Sequence, residues 1–288
     1  MSAKKTNRIP WEDGKLWSRI KTQSAHGLKT GDLQPIETES TQIESGGLFF
    51  LVRILANLSQ KEKALKQQGK SKPANPFLPY EQNLYVSDVT ETHLCLLNKF
   101  KVVDHHFLIV TREFESQQSW LTPADFKSLS LCLSEVDGLA FFNAGPEAGA
   151  SQAHKHLQIV PHTDSLPAFP IETAIASARN GQSAMLPFRH AIAHLSANTP
   201  PQQILSHYHH LLNAVGITGP YQGDQSAPYN LLCTRRWMMI VPRICEKHAG
   251  ISVNSLGFAG SLLVKNKEKL EALKSIGPMQ LLQEVAKA

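Results

Sequence analysis

Short apolar runs of strand length, interleaved with amphipathic helical patterns but without strict βαβ alternation, predict an α+β fold: a mainly antiparallel sheet with flanking helices. The composition agrees. Over 288 residues, 42% are hydrophobic and 18% charged, enough apolar side chain to bury a sizeable core. No internal repeat or low-complexity tract interrupts the chain, so a fibre, a coiled coil and a disordered tail protein are excluded.

The elements follow in chain order. Lys4, Lys5 and Arg8 open a polar leader that frays. The apolar run Gly47 to Leu58 is about 12 residues long with Arg53 inside it, short of the roughly 20 that a membrane span needs. The N-terminus carries charge but no apolar secretory segment. Both features lead us to expect a cytosolic protein. Ser59 to Pro76, rich in Lys, Gln and Pro, reads as a short helix and an exposed loop. Strand-like runs then occupy Asn83–Val86, His93–Leu97, His106–Thr111, Leu139–Asn143 and His156–Val160.

Between the third and fourth runs, Thr122 to Leu139 has a Thr cap, Pro123 in the first helical position and Asp125 in the first turn. Phe126, Leu129, Leu133 and Val136 recur at helical spacing, so this helix should cover one sheet face. Ser165 to Pro187, rich in Pro, Ala and Ser, marks the boundary between a catalytic region, residues 1–165, and a second region, residues 166–288. The sheet is expected mainly from the first, with the second packed on it as an added layer. Pro201–Val215 reads as a helix ended by Gly216. Tyr229–Thr234 and Trp237–Val241 read as a hairpin with Arg235 and Arg236 facing solvent at the turn, and Asn266–Ala288 as a helical tail.

Charge narrows the partners. Lys and Arg total 29 against 24 Asp and Glu, a formal +5, neither clustered nor interleaved with aromatics. That is too dilute for a nucleic-acid groove but compatible with a small polyanion. Cys95, Cys132, Cys233 and Cys245 form no CxxC pair, which argues against a disulfide framework and a structural zinc site.

The chemistry concentrates in Phe141 to Pro161, FFNAGPEAGASQAHKHLQIVP. A loop with Gly145 and Gly149 leads into a strand on which His154, His156 and Gln158 share one face, and Lys155, Leu157 and Ile159 the other. A neutral imidazole is a competent nucleophile toward phosphorus, and the phosphoramidate it forms can pass its group to a second acceptor. Glycines let the backbone approach anionic oxygens, with Ser151 and Gln152 adding neutral donors. The plainer alternative is a metal half-site or a solvated pair. Outside this stretch, His105 and His106 ahead of a strand read as structural. His207 and His210, one turn apart, could ligate a metal but lack a third partner and read as a solvated helix face.

The segment NAGPEAGASQAHKHLQIV, Asn143–Val160, resembles the signature of the histidine triad superfamily in its transferase branch, and more closely that of the diadenosine tetraphosphate phosphorylases, or ATP adenylyltransferases. Further segments resemble the same family in order: Asn75–Glu81, Leu96–Gln117, Tyr229–Arg243 and Ser252–Lys265. The resemblance implies a histidine-triad-like fold related to the hexose-1-phosphate uridylyltransferases, and phosphorolysis of diadenosine tetraphosphate to ATP and ADP.

By that resemblance His156 is the nucleophile, Gln158 steadies the transferring phosphoryl oxygens where hydrolases of the superfamily carry histidine, and His154 orients His156. Asn143, Gly149, Ala150, Ser151 and Gln152 would contact nucleotide and phosphates. Lys61, Asn98, Lys99, Asn254, Ser255, Leu256, Ser261 and Lys265 fall on family substrate-binding positions, Lys61 having Lys63, Lys66 and Lys70 as neighbours, and Ser261 replacing an expected Met. Mg²⁺ would accompany the substrate, with no protein metal cage and no tightly bound organic cofactor. The partners implied are diadenosine polyphosphates, ATP, ADP and phosphate, not nucleic acid or membrane; the oligomeric state is not legible. Three alternatives stand: a hexose-1-phosphate nucleotidyltransferase, a dinucleoside polyphosphate hydrolase, and a non-catalytic nucleotide sensor.

Overall fold

A computed structural model describes residues 8–56, 75–163 and 166–287. The chain enters through helix α1 (Leu16–Thr30), which buries Leu16 and Ile20. The Glu135 carboxylate accepts the Gly14 and Leu16 N–H groups at 2.7 Å each, placing negative charge at the helix's positive end. β1 (Thr38–Ser45) and β2 (Leu48–Leu55) follow as an antiparallel pair, so the early apolar run is a strand with Phe50 and Val52 buried. β3 (Tyr85–Asp88), β4 (His93–Leu97) and β5 (Phe107–Thr111) form a meander. β3 starts two residues later than the sequence pattern suggests, because Gln82–Leu84 close a 3₁₀ turn first.

Helix α2 (Pro123–Glu135) carries the expected capping box, Thr122 and Asp125 exchanging hydrogen bonds. It stops short of Leu139, since Val136 is already extended. β6 (Gly138–Ala144) and β7 (His156–Pro161) flank the glycine loop. Then come α3 (Glu172–Ser177), β8 (Ala191–His194), α4 (Pro201–Ala214), β9 (Tyr229–Cys233) and β10 (Trp237–Pro242). The chain closes with the two-residue strands β11 (Lys247–His248) and β12 (Ile251–Ser252), the short helix α5 (Ser255–Phe258), β13 (Ser261–Val264), α6 (Lys267–Ile276) and α7 (Pro278–Val285). The single tail helix anticipated from periodicity is thus two, parted at Gly277–Pro278, where proline begins the second.

The described strands build an eight-stranded antiparallel sheet in the order β3-β4-β5-β7-β6-β9-β10-β8, with β1, β2 and β13 in a separate three-stranded sheet. The second region is therefore not an added layer: β8, β9 and β10 continue the main sheet past residue 165. Every residue of β9 (YNLLC) is buried, and such a strand requires a hydrogen-bonded neighbour on each side and cover on both faces. β6 and β10 provide the neighbours, with Asn143 opposite Asn230 and Leu231 opposite Ile240. Arg235 also departs from expectation, since its Nε donates to the Leu133 carbonyl near the end of α2 instead of facing solvent.

The two faces of this sheet differ. One packs Leu157, Ile159, Ala140 and Phe142 against Leu16 and Ile20 of α1, Phe126 and Leu129 of α2, and Leu211 and Leu212 of α4. The other is divided. Phe141, Val160, Leu232 and Met239 lie under the small sheet and the C-terminal helices, while Leu94, Leu96, Leu108 and Val110 lie under Phe77 and Tyr80. Between these two patches lie His156 and Gln158.

Among the described residues no helix is long and apolar enough to cross a membrane. Cys95, Cys132 and Cys233 are buried thiols and Cys245 is partly buried.

Candidate active site

The β6–β7 ladder pairs Gly138 with Pro161 through Phe141 with Gln158, and beyond that point the strands part into the loop. The Gln117 amide spans the gap. Its Nε2 donates to the carbonyls of Asn143 (2.9 Å) and His156 (3.3 Å), and its Oε1 accepts the His156 N–H at 2.8 Å. The backbone at His156 is thereby fixed on both sides.

The His156 ring is held by one bond. Its Nδ1 lies 2.8 Å from the His154 carbonyl, and a carbonyl can only accept, so Nδ1 carries the proton and Nε2 keeps its lone pair. Burial, only partly offset by that hydrogen bond, pushes the imidazole pKa down to about 4, so the ring is neutral at pH 7. The His154 ring is occupied elsewhere: Nε2 lies 2.8 Å from the Thr111 carbonyl and 2.9 Å from its hydroxyl, and Asn75 Nδ2 donates to Nδ1 at 2.8 Å. His154 thus orients His156 through its backbone carbonyl while its ring braces the strand. Phe77 touches both imidazoles, with centroids at 5.5 and 5.4 Å. Phe114, 59% exposed, stands 5.5 Å from His154 and gives the site an apolar rim.

The glycine loop is locked from the C-terminal region. Gly149 has φ +89°, and a Cβ there would stand 2.7 Å from the Val253 carbonyl and 2.9 Å from Asn254 Cβ, so only glycine fits. Asn143 Oδ1 accepts from Asn230 Nδ2, Ser255 N and Ser255 Oγ at 2.9, 2.9 and 2.7 Å. Buried Arg243 donates to Asn230 Oδ1 and to the carbonyls of Ala148, Val253, Cys245, Glu246 and Val285. Burial lowers its pKa to about 10, leaving it a cation at neutral pH behind the loop. Pro146, Glu147, Gly149, Ala150, Ser151 and Glu246 line an open cleft of about 400 Å³ on the outer side.

Two family profiles cover the chain. The Ap4A phosphorylase N-terminal domain matches residues 6–177 and the ATP adenylyltransferase C-terminal domain residues 184–288. The chain belongs to the Ap4A phosphorylase family. It is 30% identical over 297 residues to diadenosine 5',5'''-P1,P4-tetraphosphate phosphorylase 2 of Saccharomyces cerevisiae, covering 90% of either chain. To Protein APA1 of the same yeast it is 26% identical, covering 87% of either. The crystal structure of yeast Ap4A phosphorylase Apa2 in complex with AMP superposes with a TM-score of 0.78 at 26% identity, over 95% of this chain and 96% of that one.

Within this Ap4A phosphorylase fold the residues singled out from the sequence separate into groups. His154, His156, Gln158, Asn143 and Gly149 to Gln152 share the β6–loop–β7 unit, and Asn254, Ser255 and Leu256 abut it at the start of α5, where Asn254 caps the helix by accepting Leu256 N–H at 3.0 Å. Asn143 and Ser255 are buried against each other, joining β6 to the start of α5. Asn98 bonds His106, and Lys99 pairs with Glu81 at 2.7 Å. Ser261 and Lys265 belong to the small sheet and its end, with Lys265 exposed. Lys61 lies outside the described residues. Asn75, Gln117, Asn230 and Arg243 were not singled out. All four lie in or beside segments carrying the family resemblance, but no local spacing marks them, because each works by reaching a distant strand or loop. His106, read as structural, stands on the site face.

Proposed function

We infer that this protein is a nucleotidyltransferase that cleaves diadenosine tetraphosphate with inorganic phosphate, giving ATP and ADP and running the reverse adenylyl transfer. The observation that carries the reading is the free Nε2 lone pair of a neutral His156 beside a glycine loop, in a chain 30% identical along its length to a yeast enzyme named for this activity. His156 Nε2 bonds to the phosphorus next to one adenosine, and the bond from that phosphorus to the bridging oxygen breaks, releasing ATP. Phosphate oxygen then attacks the adenylyl-histidine, the P–N bond breaks, and ADP leaves with the imidazole restored. The Nδ1–H to His154 carbonyl bond stabilises the positive charge the ring acquires in between.

In this reading Gln158 donates to the transferring phosphoryl oxygens, the loop Gly149–Gln152 and the segment Asn254–Leu256 receive nucleotide and phosphates, and Lys61, Lys99, Asn98, Ser261 and Lys265 complete the substrate contacts. The C-terminal region thereby contributes to a site centred on the N-terminal one. Mg²⁺ would be held by the polyphosphate itself, since among the described residues no three His, Cys, Asp or Glu side chains converge. Work on small soluble nucleotides suits a cytoplasmic protein.

The test is to incubate the purified protein with diadenosine tetraphosphate, with and without phosphate, and to resolve the adenine nucleotides. ATP and ADP formed only with phosphate support the reading. AMP and ATP without phosphate would make it a hydrolase, and no turnover would return attention to sugar nucleotides or to a sensor.

A further inference from the structure

His106 lies just before β5, where a left-handed His105 (φ 58°) turns the chain into the strand. In the β5–β7 ladder Leu108 faces Gln158 and Val110 faces His156. Side chains two apart share a face, so His106 projects on the side of His156 and Gln158. Its ring stands 5.9 Å from that of Phe141, the residue opposite Gln158 on β6. The two rings meet across β7, next to Gln158.

The proton on His106 is fixed by its neighbours. Asn98 Oδ1 accepts the Phe100 N–H at 3.3 Å, which assigns the other end of the amide, Nδ2, to His106 Nδ1 at 3.1 Å. An amide nitrogen can only donate, so Nδ1 accepts and a neutral ring carries its hydrogen on Nε2. Burial keeps the ring neutral by pushing its pKa down to about 4. Nε2 is buried without a hydrogen-bond partner among the described residues. With Nδ1 taken by Asn98, Nε2 is the nitrogen left for the Gln158 amide, which lies close enough to raise the histidine's proton affinity.

We propose that His106 is a positioning residue that fixes the orientation of the Gln158 amide. An Nε2–H accepts nothing, so it selects the rotamer that turns Gln158 Oε1 toward His106. The Gln158 NH₂ is then left to face the oxygens on the phosphorus that His156 attacks. Were the amide reversed, its oxygen would oppose those anionic oxygens. Asn98 acts one step further back, as the residue that chooses the His106 tautomer. This role presupposes the adenylyl transfer proposed above.

A double-mutant cycle tests it. The kcat and KM for diadenosine tetraphosphate and for phosphate are measured for the unaltered protein, His106→Leu, His106→Gln, Gln158→Ala and His106→Leu/Gln158→Ala, with melting temperatures recorded. His106→Leu should lower kcat by about 10- to 100-fold with little change in KM, His106→Gln should recover most of that by restoring a donor, and His106→Leu should cost less than about twofold once Gln158 is alanine. Equal losses in both backgrounds, or no recovery by glutamine, would overturn the proposal in favour of a structural role or a direct substrate contact. A second measurement needs neither turnover nor a variant, and so separates this idea from the proposed activity. Histidine ¹⁵N spectra of the unaltered protein should show His106 neutral and protonated on Nε2 at pH 7; a proton on Nδ1, or an imidazolium, would overturn it.

Discussion

Lys155 and His156 are adjacent in the chain and both almost wholly buried, at 0% and 5% exposure, yet the sheet uses them in opposite ways. On the helix-covered face, Lys155 Nζ donates to Glu115 (2.8 Å), the Trp120 carbonyl (3.0 Å) and Asp125 (3.2 Å), and Asp125 also meets His93 at 3.0 Å and caps α2. All three ammonium protons have acceptors, on the face whose core includes Phe126, Leu129 and Leu157. On the other face, His156 Nε2 makes no hydrogen bond to another described residue, and the half-buried Gln158 amide has the His106 imidazole beside it. Buried polar groups that satisfy one another consolidate the fold; buried groups left open, with their backbone rigidly tied, are where a substrate's polar atoms can be received.

The largest expected break in that contrast is His156→Ala, which should lower phosphorolysis by on the order of 10⁴-fold or more while leaving the unfolding midpoint nearly unchanged. Residual activity above a few per cent would mean that another group is the nucleophile. The mirror experiment is Lys155→Met. It strands the Asp125 carboxylate beneath α2 and should cost about 3 kcal/mol by urea unfolding, with kcat of the folded enzyme within about threefold of the parent. A collapse of kcat at full stability would erase the distinction between the faces.

Asn143→Leu probes the junction of the two regions. It leaves the buried donors of Ser255 and Asn230 without their acceptor, so about 2 kcal/mol of stability should go together with a raised KM for the dinucleotide. An unchanged KM would detach the Ser255 segment from substrate binding.

The pH dependence is the finest of the four. His156 and His106 each sit near pKa 4 in the folded protein against about 6.5 when unfolded. Between those values the unfolded chain binds protons that the folded one does not, so stability falls as pH drops from 6.5 toward 4 and is unaffected by these groups above 6.5. His156 stays neutral over the same window. The acid limb of kcat/KM should therefore lie closer to 4 than to 6.5; a limb at 6.5 would mean that water reaches the ring.

How much of this was legible in the chain varies by element. The α2 cap, the β9–β10 hairpin and the His-x-His-x-Gln strand are local patterns, each set by residues within a few positions of one another. α1, β1 and β2 were not read as elements. α1 draws its N-terminal cap from Glu135, and β2 has one partner in β13, more than 200 residues later. Nothing near them in sequence signals that. The same holds in the site: Asn75, Gln117 and Arg243 contribute by crossing to another element, and Lys99, singled out for phosphate, spends its charge on Glu81 at a half-exposed position.

The sequence by itself determined the class of the fold, the alternation that puts His156 and Gln158 on one side of a strand and Lys155 on the other, the glycine loop ahead of them and the family they resemble. All of these follow from periodicity and from residue chemistry read over short spans. Only the tertiary structure decided which nitrogen of His156 is free, that the His154 carbonyl and not its ring orients it, that one sheet runs through both regions, and that Gln117 and Arg243 hold the loop. Those depend on which distant groups meet in a space from which water is excluded, where each hydrogen bond selects a tautomer and each burial moves a proton.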